Sequence, residues 1–329
     1  MPGALVLAPF SAGHLDRLRG KIKVTYESWL DTHRIQDPEE LGARLAAECV
    51  SVLVIEADFV FEEVFEAAKS LRLVGVCRGS VDHLDIETAT RHRVAVINAP
   101  GRNAQAVAEH VLALMLSLAR GIPSADAYVK AGRWDNPAEP YVSMRGVELS
   151  GRKLGIVGLG AIGRRLTTIG LALGMGVAAH DPYVSDAPSG VSLMDLDDLL
   201  AWADFVSLHV PETEETAGLL DRRRLSLMKS TAYLVNTSEA SIIDRQALIS
   251  TLKVGGIAGA GLDVFESHPV DPSDPLLALD NIVLTPHLGG ATEETVERHS
   301  RMITDDILRF LGGERPGNLV NPEVWERRA

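Results

Sequence analysis

Lys153-Leu154-Gly155-Ile156-Val157-Gly158-Leu159-Gly160-Ala161-Ile162-Gly163 is a short apolar run that breaks into three glycines spaced GxGxxG. A helical period follows from Ile162 to Leu173. A strand that turns sharply into a helix gathers backbone N–H groups and the positive end of the helix dipole at one point, which suits a pyrophosphate. Gly158 allows the tight turn, Gly160 lets the backbone approach the phosphates, and Gly163 lets the helix pack against the sheet. Ala161 and Ile162, inside the same GxGxxG, are expected at the cofactor site with the glycines. The next strand ends in His180-Asp181-Pro182. An acidic side chain there accepts from the two hydroxyls of an adenosine ribose and repels a 2′-phosphate, so Asp181 predicts NAD over NADP.

Outward from this turn, apolar runs recur at Leu154–Gly158, Val177–His180, Phe205–Val210, Ala232–Asn236, Ile257–Leu262 and Ile282–Thr285. Six strands with helices between them predict a doubly wound parallel sheet. Upstream, Ala4–Ala8, Val52–Ile55, Leu73–Val76 and Val94–Ile97 alternate with helix-like segments at Glu39–Ala47 and Val60–Ala68. Runs without polar alternation belong to strands covered on both faces, so a second parallel sheet is expected there. A strong helical period spans Ala104 to Arg120 and is expected to end at Gly121 and Pro123. Residues 132–150 read as a surface excursion. One last helix is expected over Glu293 to Leu311.

A chain of 329 residues predicts about two domains, and 46% hydrophobic residues suffice for large cores. The net charge of -13 argues against a nucleic acid or an anionic membrane as partner, because both need a basic face. Cys49 and Cys77 form neither a disulfide framework nor a zinc motif, and no cluster has metal-site spacing. Cys77 reads as a small buried hydrophobe, and Arg222-Arg223-Arg224 as a solvated helix face. The N-terminus lacks the pattern of a signal peptide, and the longest apolar run, near Val111–Ala119, is too short to span a bilayer. These features predict a soluble, cytoplasmic protein.

Further motifs follow in order: Arg78-Gly79-Ser80-Val81-Asp82, Asn98-Ala99-Pro100-Gly101-Arg102-Asn103, Ala106-Val107-Ala108-Glu109, Leu208-His209-Val210-Pro211, Val235-Asn236-Thr237, Gly261-Leu262-Asp263-Val264-Phe265 and Thr285-Pro286-His287-Leu288-Gly289-Gly290. With the glycine turn they resemble the NAD-dependent D-isomer-specific 2-hydroxyacid dehydrogenases over nearly the whole chain. The resemblance implies a Rossmann NAD-binding domain, residues 101–285, inserted in a discontinuous flavodoxin-like substrate domain, residues 1–100 plus 286–329. It implies an active site in the cleft of two domains, with hydride passing between the nicotinamide and C2 of a hydroxy acid. It also implies a homodimer, with residues 123–148 in the interface. His209, Pro211 and Thr237 then join the cofactor site, and Arg78, Gly79, Ser80 and Asn103 the substrate site. Two roles fit Asp263: contact with the nicotinamide carboxamide, or a cap on its own turn.

The same resemblance implies three polar catalytic residues. The histidine is present as His287, and imidazole suits proton transfer to a hydroxyl near neutral pH. The arginine that holds the substrate carboxylate is replaced by Glu239, in Asn236-Thr237-Ser238-Glu239-Ala240. The glutamate that supports the histidine is replaced by His268, in Glu266-Ser267-His268-Pro269. Two unit charges about 4 Å apart interact by about 4 kcal/mol at an effective dielectric of about 20. Turning that attraction into repulsion disfavours an ordinary 2-keto acid unless another cation, such as Arg78 or Arg102, takes over. Glu239 offers a replacement carboxylate for His287, and His268 a second proton carrier. The expected activity is NAD-dependent oxidoreduction of a non-standard hydroxy acid or sugar acid. The alternative is a non-enzymatic NAD-binding regulator of the same fold.

Overall fold

The computed structural model describes residues 3–267 and 269–326. The chain divides into two units, residues 1–102 with 292–329 and residues 103–291. In the first unit, Gly3–Val6 (β1), Lys23–Tyr26 (β2), Val50–Ile55 (β3), Leu73–Val76 (β4) and Ala95–Asn98 (β5) form a parallel sheet in the order β2-β1-β3-β4-β5. All six residues of β3 are buried. Leu53 and Ile55 pack in one core with Phe65 and Val74, while Val52 and Val54 pack in another with Ile303 and Ile307. That two-residue alternation between two apolar layers is why β3 has no polar face.

The helix Glu293–Leu311 explains why the chain returns to this unit. Thr292 caps it by accepting from the Thr295 amide at 3.1 Å. Its Ile303 lies against Gly75 of β4, where a Cβ would come within 3.0 Å of the Ile303 methyl. Past the helix, the chain runs antiparallel along β5, with the Val320 amide donating to the Val96 carbonyl at 2.8 Å. β2 was not among the expected strands. Lys-Val-Thr-Tyr at a sheet edge is exposed or half-buried throughout and has no continuous apolar run.

The second unit holds Lys153–Val157 (β6), Gly176–His180 (β7), Val191–Leu193 (β8), Phe205–Leu208 (β9), Tyr233–Asn236 (β10), Gly259–Leu262 (β11) and Ile282–Leu284 (β12). The sheet is parallel, in the order β12-β11-β10-β9-β6-β7-β8. It has seven strands where six were expected, because β8 is a three-residue edge strand too short to read as a run. The helix Ala104–Arg120 ends at Gly121, whose φ of 57° is left-handed. Pro123 does not end the helical region. It sits in the first turn of a new helix, Ile122–Lys130, where a missing N–H costs nothing. The excursion that follows carries one short helix, Ala138–Ser143.

The unit boundaries lie a few residues beyond the expected ones, for identifiable reasons. Arg102 stays with the first unit because it pairs with Glu56 and His299 there. Residues 286–291 stay with the second because Asp263 holds the Leu288 and Gly289 amides. Cys77 is fully buried, as its reading predicted. Among the described residues no single helix is long and apolar enough to cross a membrane.

One buried side chain ties the end of the chain to the first sheet. Asn321 accepts from the Val96 amide at 2.8 Å and donates to the Val94 carbonyl at 2.9 Å and to Thr90 Oγ1 at 3.0 Å. Asn321→Ala leaves buried backbone groups unpaired, so a loss of about 1–3 kcal/mol is expected. Urea unfolding monitored on the first unit should show it; an unchanged midpoint would contradict the assigned role.

Candidate functional site

In a parallel sheet every carboxyl end lies along one edge, and a ligand site forms where the strand order reverses. In the second unit that point lies between β6 and β9, because β7 and β8 continue to one side and β10 to β12 to the other. Gly158 follows β6 with a φ of 95°, and a Cβ there would lie 2.6 Å from the His209 carbonyl oxygen. A Cβ on Gly163 would lie 2.2 Å from the Gly158 carbonyl oxygen. Gly160 differs: a Cβ there meets nothing within 4 Å. The turn is therefore shut at two glycines and open at the third. No side chain caps the helix Ala161–Ala172 that begins beside it, so its first amides are available to an anion.

Asp181 follows β7 and braces the same turn. Its carboxylate accepts from the Leu159 amide at 2.8 Å and from the Tyr183 amide at 3.0 Å. Each oxygen keeps acceptor capacity for a ribose hydroxyl. Tyr183 donates its hydroxyl to Glu215 at 2.8 Å on the exposed surface nearby, and Thr216 donates to the Pro211 carbonyl at 2.6 Å.

Beyond β9 and β10, His209 and Thr237 each carry a buried polar atom without a partner among the described residues. Burial pulls the His209 imidazole down to about 3, so it is neutral at pH 7. Its Nε2 lies 2.9 Å from Ser207 Oγ, and its buried Nδ1 has no partner among the described residues. Thr237 Oγ1 is also buried and has no partner among the described residues. Such atoms cost about 1–3 kcal/mol each unless something pairs with them. The open Gly160 turn and these atoms fit a dinucleotide with its pyrophosphate at the turn and its polar carboxamide end further along the edge.

The ends of β10, β11 and β12 carry the rest. Asn236 stiffens the first by accepting from the Ser238 amide at 3.0 Å and donating to the Glu239 carbonyl at 2.8 Å. Ser238 donates its hydroxyl to the Leu208 carbonyl at 2.7 Å. Glu239 follows, exposed and extended. Asp263, 1% exposed at the end of β11, accepts from Thr285 Oγ1 at 2.5 Å, the Leu288 amide at 2.8 Å and the Gly289 amide at 2.7 Å. Burial alone would raise its carboxyl. Hydrogen bonds from His110, Thr285 and those two amides outweigh the burial and hold it at about 2. Of the two roles open to Asp263, the contacts on hand are those of a turn cap. His287 lies inside that turn, exposed, with a left-handed φ of 58°. Such a backbone is uncommon for a non-glycine residue, and where it occurs it clusters at functional sites. His268 lies outside the described residues.

In the first unit, Arg78, Gly79 and Ser80 are exposed after β4. The Arg78 carbonyl accepts from the Ala99 amide at 2.8 Å and the Gly79 carbonyl from Asn98 at 2.7 Å, so the loop is tied down by its backbone. Among the described residues no ion pair holds the Arg78 guanidinium. Arg102 is different. It is nearly buried, 2.7 Å from Glu56 and 2.9 Å from His299 Nδ1, while His299 Nε2 donates to the Pro9 carbonyl at 2.8 Å. It holds three loops together and is committed, which removes it as a replacement for the missing arginine. Asn103 belongs to the second unit, at the start of the helix Ala104–Arg120 and against Gly290. Sequence reasoning missed His110 and Thr285 as partners of Asp263. The signal was present, since Ala106-Val107-Ala108-Glu109 stops one residue short of His110.

The three glycines should separate experimentally. Gly160→Ala is expected to fold normally and weaken NADH binding about tenfold or more, because its methyl fills space the pyrophosphate needs. Gly163→Ala is expected to destabilise the protein itself. Thermal melts and NADH fluorescence titrations check both; wild-type NADH affinity in Gly160→Ala would contradict the cradle.

Residues 112–289 match the family model for the NAD-binding domain of D-isomer specific 2-hydroxyacid dehydrogenases. A glyoxylate reductase of Korarchaeum cryptofilum is 39% identical over 315 residues, 94% of this chain and 95% of that protein. A putative 2-hydroxyacid dehydrogenase of Bacillus subtilis, YoaD, is 38% identical over 96% of this chain and 92% of its own length. The crystal structure of the TT0316 protein from Thermus thermophilus superposes with a TM-score of 0.85 at 35% identity, covering 98% of this chain and all of that one. With the open glycine cradle and the His287 turn on one sheet edge, these matches make the chain a member of the D-isomer-specific 2-hydroxyacid dehydrogenase family, an NAD-binding oxidoreductase that acts on the CH–OH group of a hydroxy acid.

Proposed function

We propose that the protein interconverts a 2-oxo acid and its 2-hydroxy acid, with His287 as the proton carrier and a polyhydroxylated, sugar-acid-like substrate in place of a small keto acid. The observation that supports this most is the strained His287 turn at the same sheet edge as the Gly160 cradle. Bound NADH supplies the hydride. His287 donates the proton to the oxygen that becomes the hydroxyl, and its exposed position gives that proton a route from solvent. Glu239 accepts hydrogen bonds from substrate hydroxyls, which a small keto acid lacks. A non-enzymatic regulator keeps no use for a strained histidine on the cofactor edge, so turnover is the better reading.

Two variants test it. His287→Ala is expected to lower kcat by about 10² to 10⁴ with little change in NADH affinity. Glu239→Arg is expected to raise the glyoxylate-dependent oxidation of NADH about tenfold, by exchanging repulsion for attraction. Stopped-flow absorbance with a panel of 2-oxo acids measures both. A His287→Ala enzyme with unchanged kcat would remove the proton carrier. A Glu239→Arg enzyme that folds, binds NADH and ignores glyoxylate would show that shape, not charge, selects the substrate.

We also propose a cytoplasmic homodimer. A cytoplasmic setting fits a reaction that draws on the nicotinamide pool. The dimer rests on the excursion after Gly121. Ile122, Val129, Trp134, Tyr141 and Val142 there are 51%, 54%, 58%, 77% and 67% exposed, apolar side chains that a second copy would bury. Light scattering is expected to give about twice the 35.4 kDa chain mass, and Tyr141→Glu with Val142→Glu to halve it. A monomeric wild type would contradict the dimer.

A further inference from the structure

The neighbours of His287 are held more firmly than its own exposed side chain requires. Asp263 takes three hydrogen bonds from the five residues 285–289: the Thr285 hydroxyl before His287, and the Leu288 and Gly289 amides after it. His110 reaches the same point from the helix Ala104–Arg120, with Nε2 2.9 Å from Thr285 Oγ1 and 3.4 Å from Asp263 Oδ1. The His287 amide itself donates back to the Thr285 carbonyl at 3.0 Å.

The donors and acceptors can be arranged in only one direction. The Asp263 carboxyl is held low and so is ionised at neutral pH; as a carboxylate it only accepts. The Thr285 hydroxyl must therefore give its single proton to Asp263. Its oxygen then accepts from His110, which must carry a proton on Nε2. The chain reads His110 Nε2–H to Thr285 Oγ–H to Asp263. It ends on the acceptor that also grips the residues after His287. Gly289 allows this grip, since a Cβ there would sit 3.0 Å from Asp263 Oδ2.

We propose that His110, Thr285 and Asp263 form a clamp that holds the 285–289 turn and thereby positions His287 for proton transfer. The proposal rests on the reading of His287 as the proton carrier. A left-handed backbone at a non-glycine residue persists only where its surroundings over-determine it. The clamp supplies that constraint from both sides of the residue. It joins the unit's first helix to its last turn. His110 and Thr285 act through the turn, so they are positioning residues and not catalytic ones.

The test combines amide exchange in the ligand-free protein with kinetics. Thr285→Val keeps the side-chain shape and removes the hydroxyl. It is expected to speed hydrogen exchange at the Leu288 and Gly289 amides about tenfold or more, and to lower kcat about tenfold with NADH affinity within about twofold of wild type. Thr285→Ser should return both values to within about threefold of wild type. His110→Gln, which keeps an N–H donor, should keep more of both than His110→Leu. A Thr285→Val protein that binds NADH while its amides exchange as in wild type would overturn the clamp. Faster exchange with an unchanged kcat would overturn its role in positioning. Should His287→Ala turn over like wild type while Thr285→Val does not, the clamp stands and the proton-carrier assignment fails.

Discussion

Taking a carboxylate out of water costs several kcal/mol unless hydrogen bonds replace its hydration. Asp263 is almost wholly buried, and its replacement donors all come from one short turn and the helix beside it. That exchange fixes where β11 ends and where the turn after β12 goes. It also decides which unit residues 286–291 belong to, and keeps His287 in a conformation that an unconstrained chain would leave. A neutral residue at position 263 would lose the electrostatic reason for the turn.

The same logic recurs along the sheet edge. Asp181 braces the glycine turn through the Leu159 amide, and Asn236 shapes the turn that presents Glu239. Each side chain sits at a strand's carboxyl end and makes its hydrogen bonds to backbone, so the loops at this edge are braced by the protein itself. Rigidity of this kind lowers the ordering cost of binding and keeps reacting groups in register. His209 Nδ1 and Thr237 Oγ1, without a partner among the described residues, are buried polar atoms that a bound cofactor can satisfy. In the first unit, the Glu56–Arg102–His299 network does comparable work, binding three loops at that sheet's edge.

Most of the architecture was legible because the strands are apolar on both faces. The glycine turn was legible because each glycine is needed for a different steric reason. The elements that escaped were edge strands: β2 and β8 are short and half-exposed, so their composition carries no buried-strand signal. Pro123 misled because proline ends one helix and starts another equally well, and only the left-handed Gly121 before it decides which. At the site, substitutions were visible as charges but partnerships were not. Glu239 stands out in Asn-Thr-Ser-Glu, whereas nothing local says that His110 meets a threonine 175 residues away. Arg102 shows the reverse: an arginine in a substrate-domain motif suggested a ligand, and the fold gives it to Glu56.

We propose an enzyme whose nicotinamide and proton carrier share one sheet edge, with a substrate selected by a carboxylate at position 239. Isotope transfer tests that most directly. NADH deuterated at C4, in each stereochemical form, is incubated with the protein and a panel of 2-oxo acids that includes polyhydroxylated ones. Mass spectrometry then follows the products. Deuterium is expected at C2 of a 2-hydroxy acid from one C4 form only, with sugar-acid-like substrates labelled faster than glyoxylate. Tight NADH binding with no deuterium in any product would contradict it.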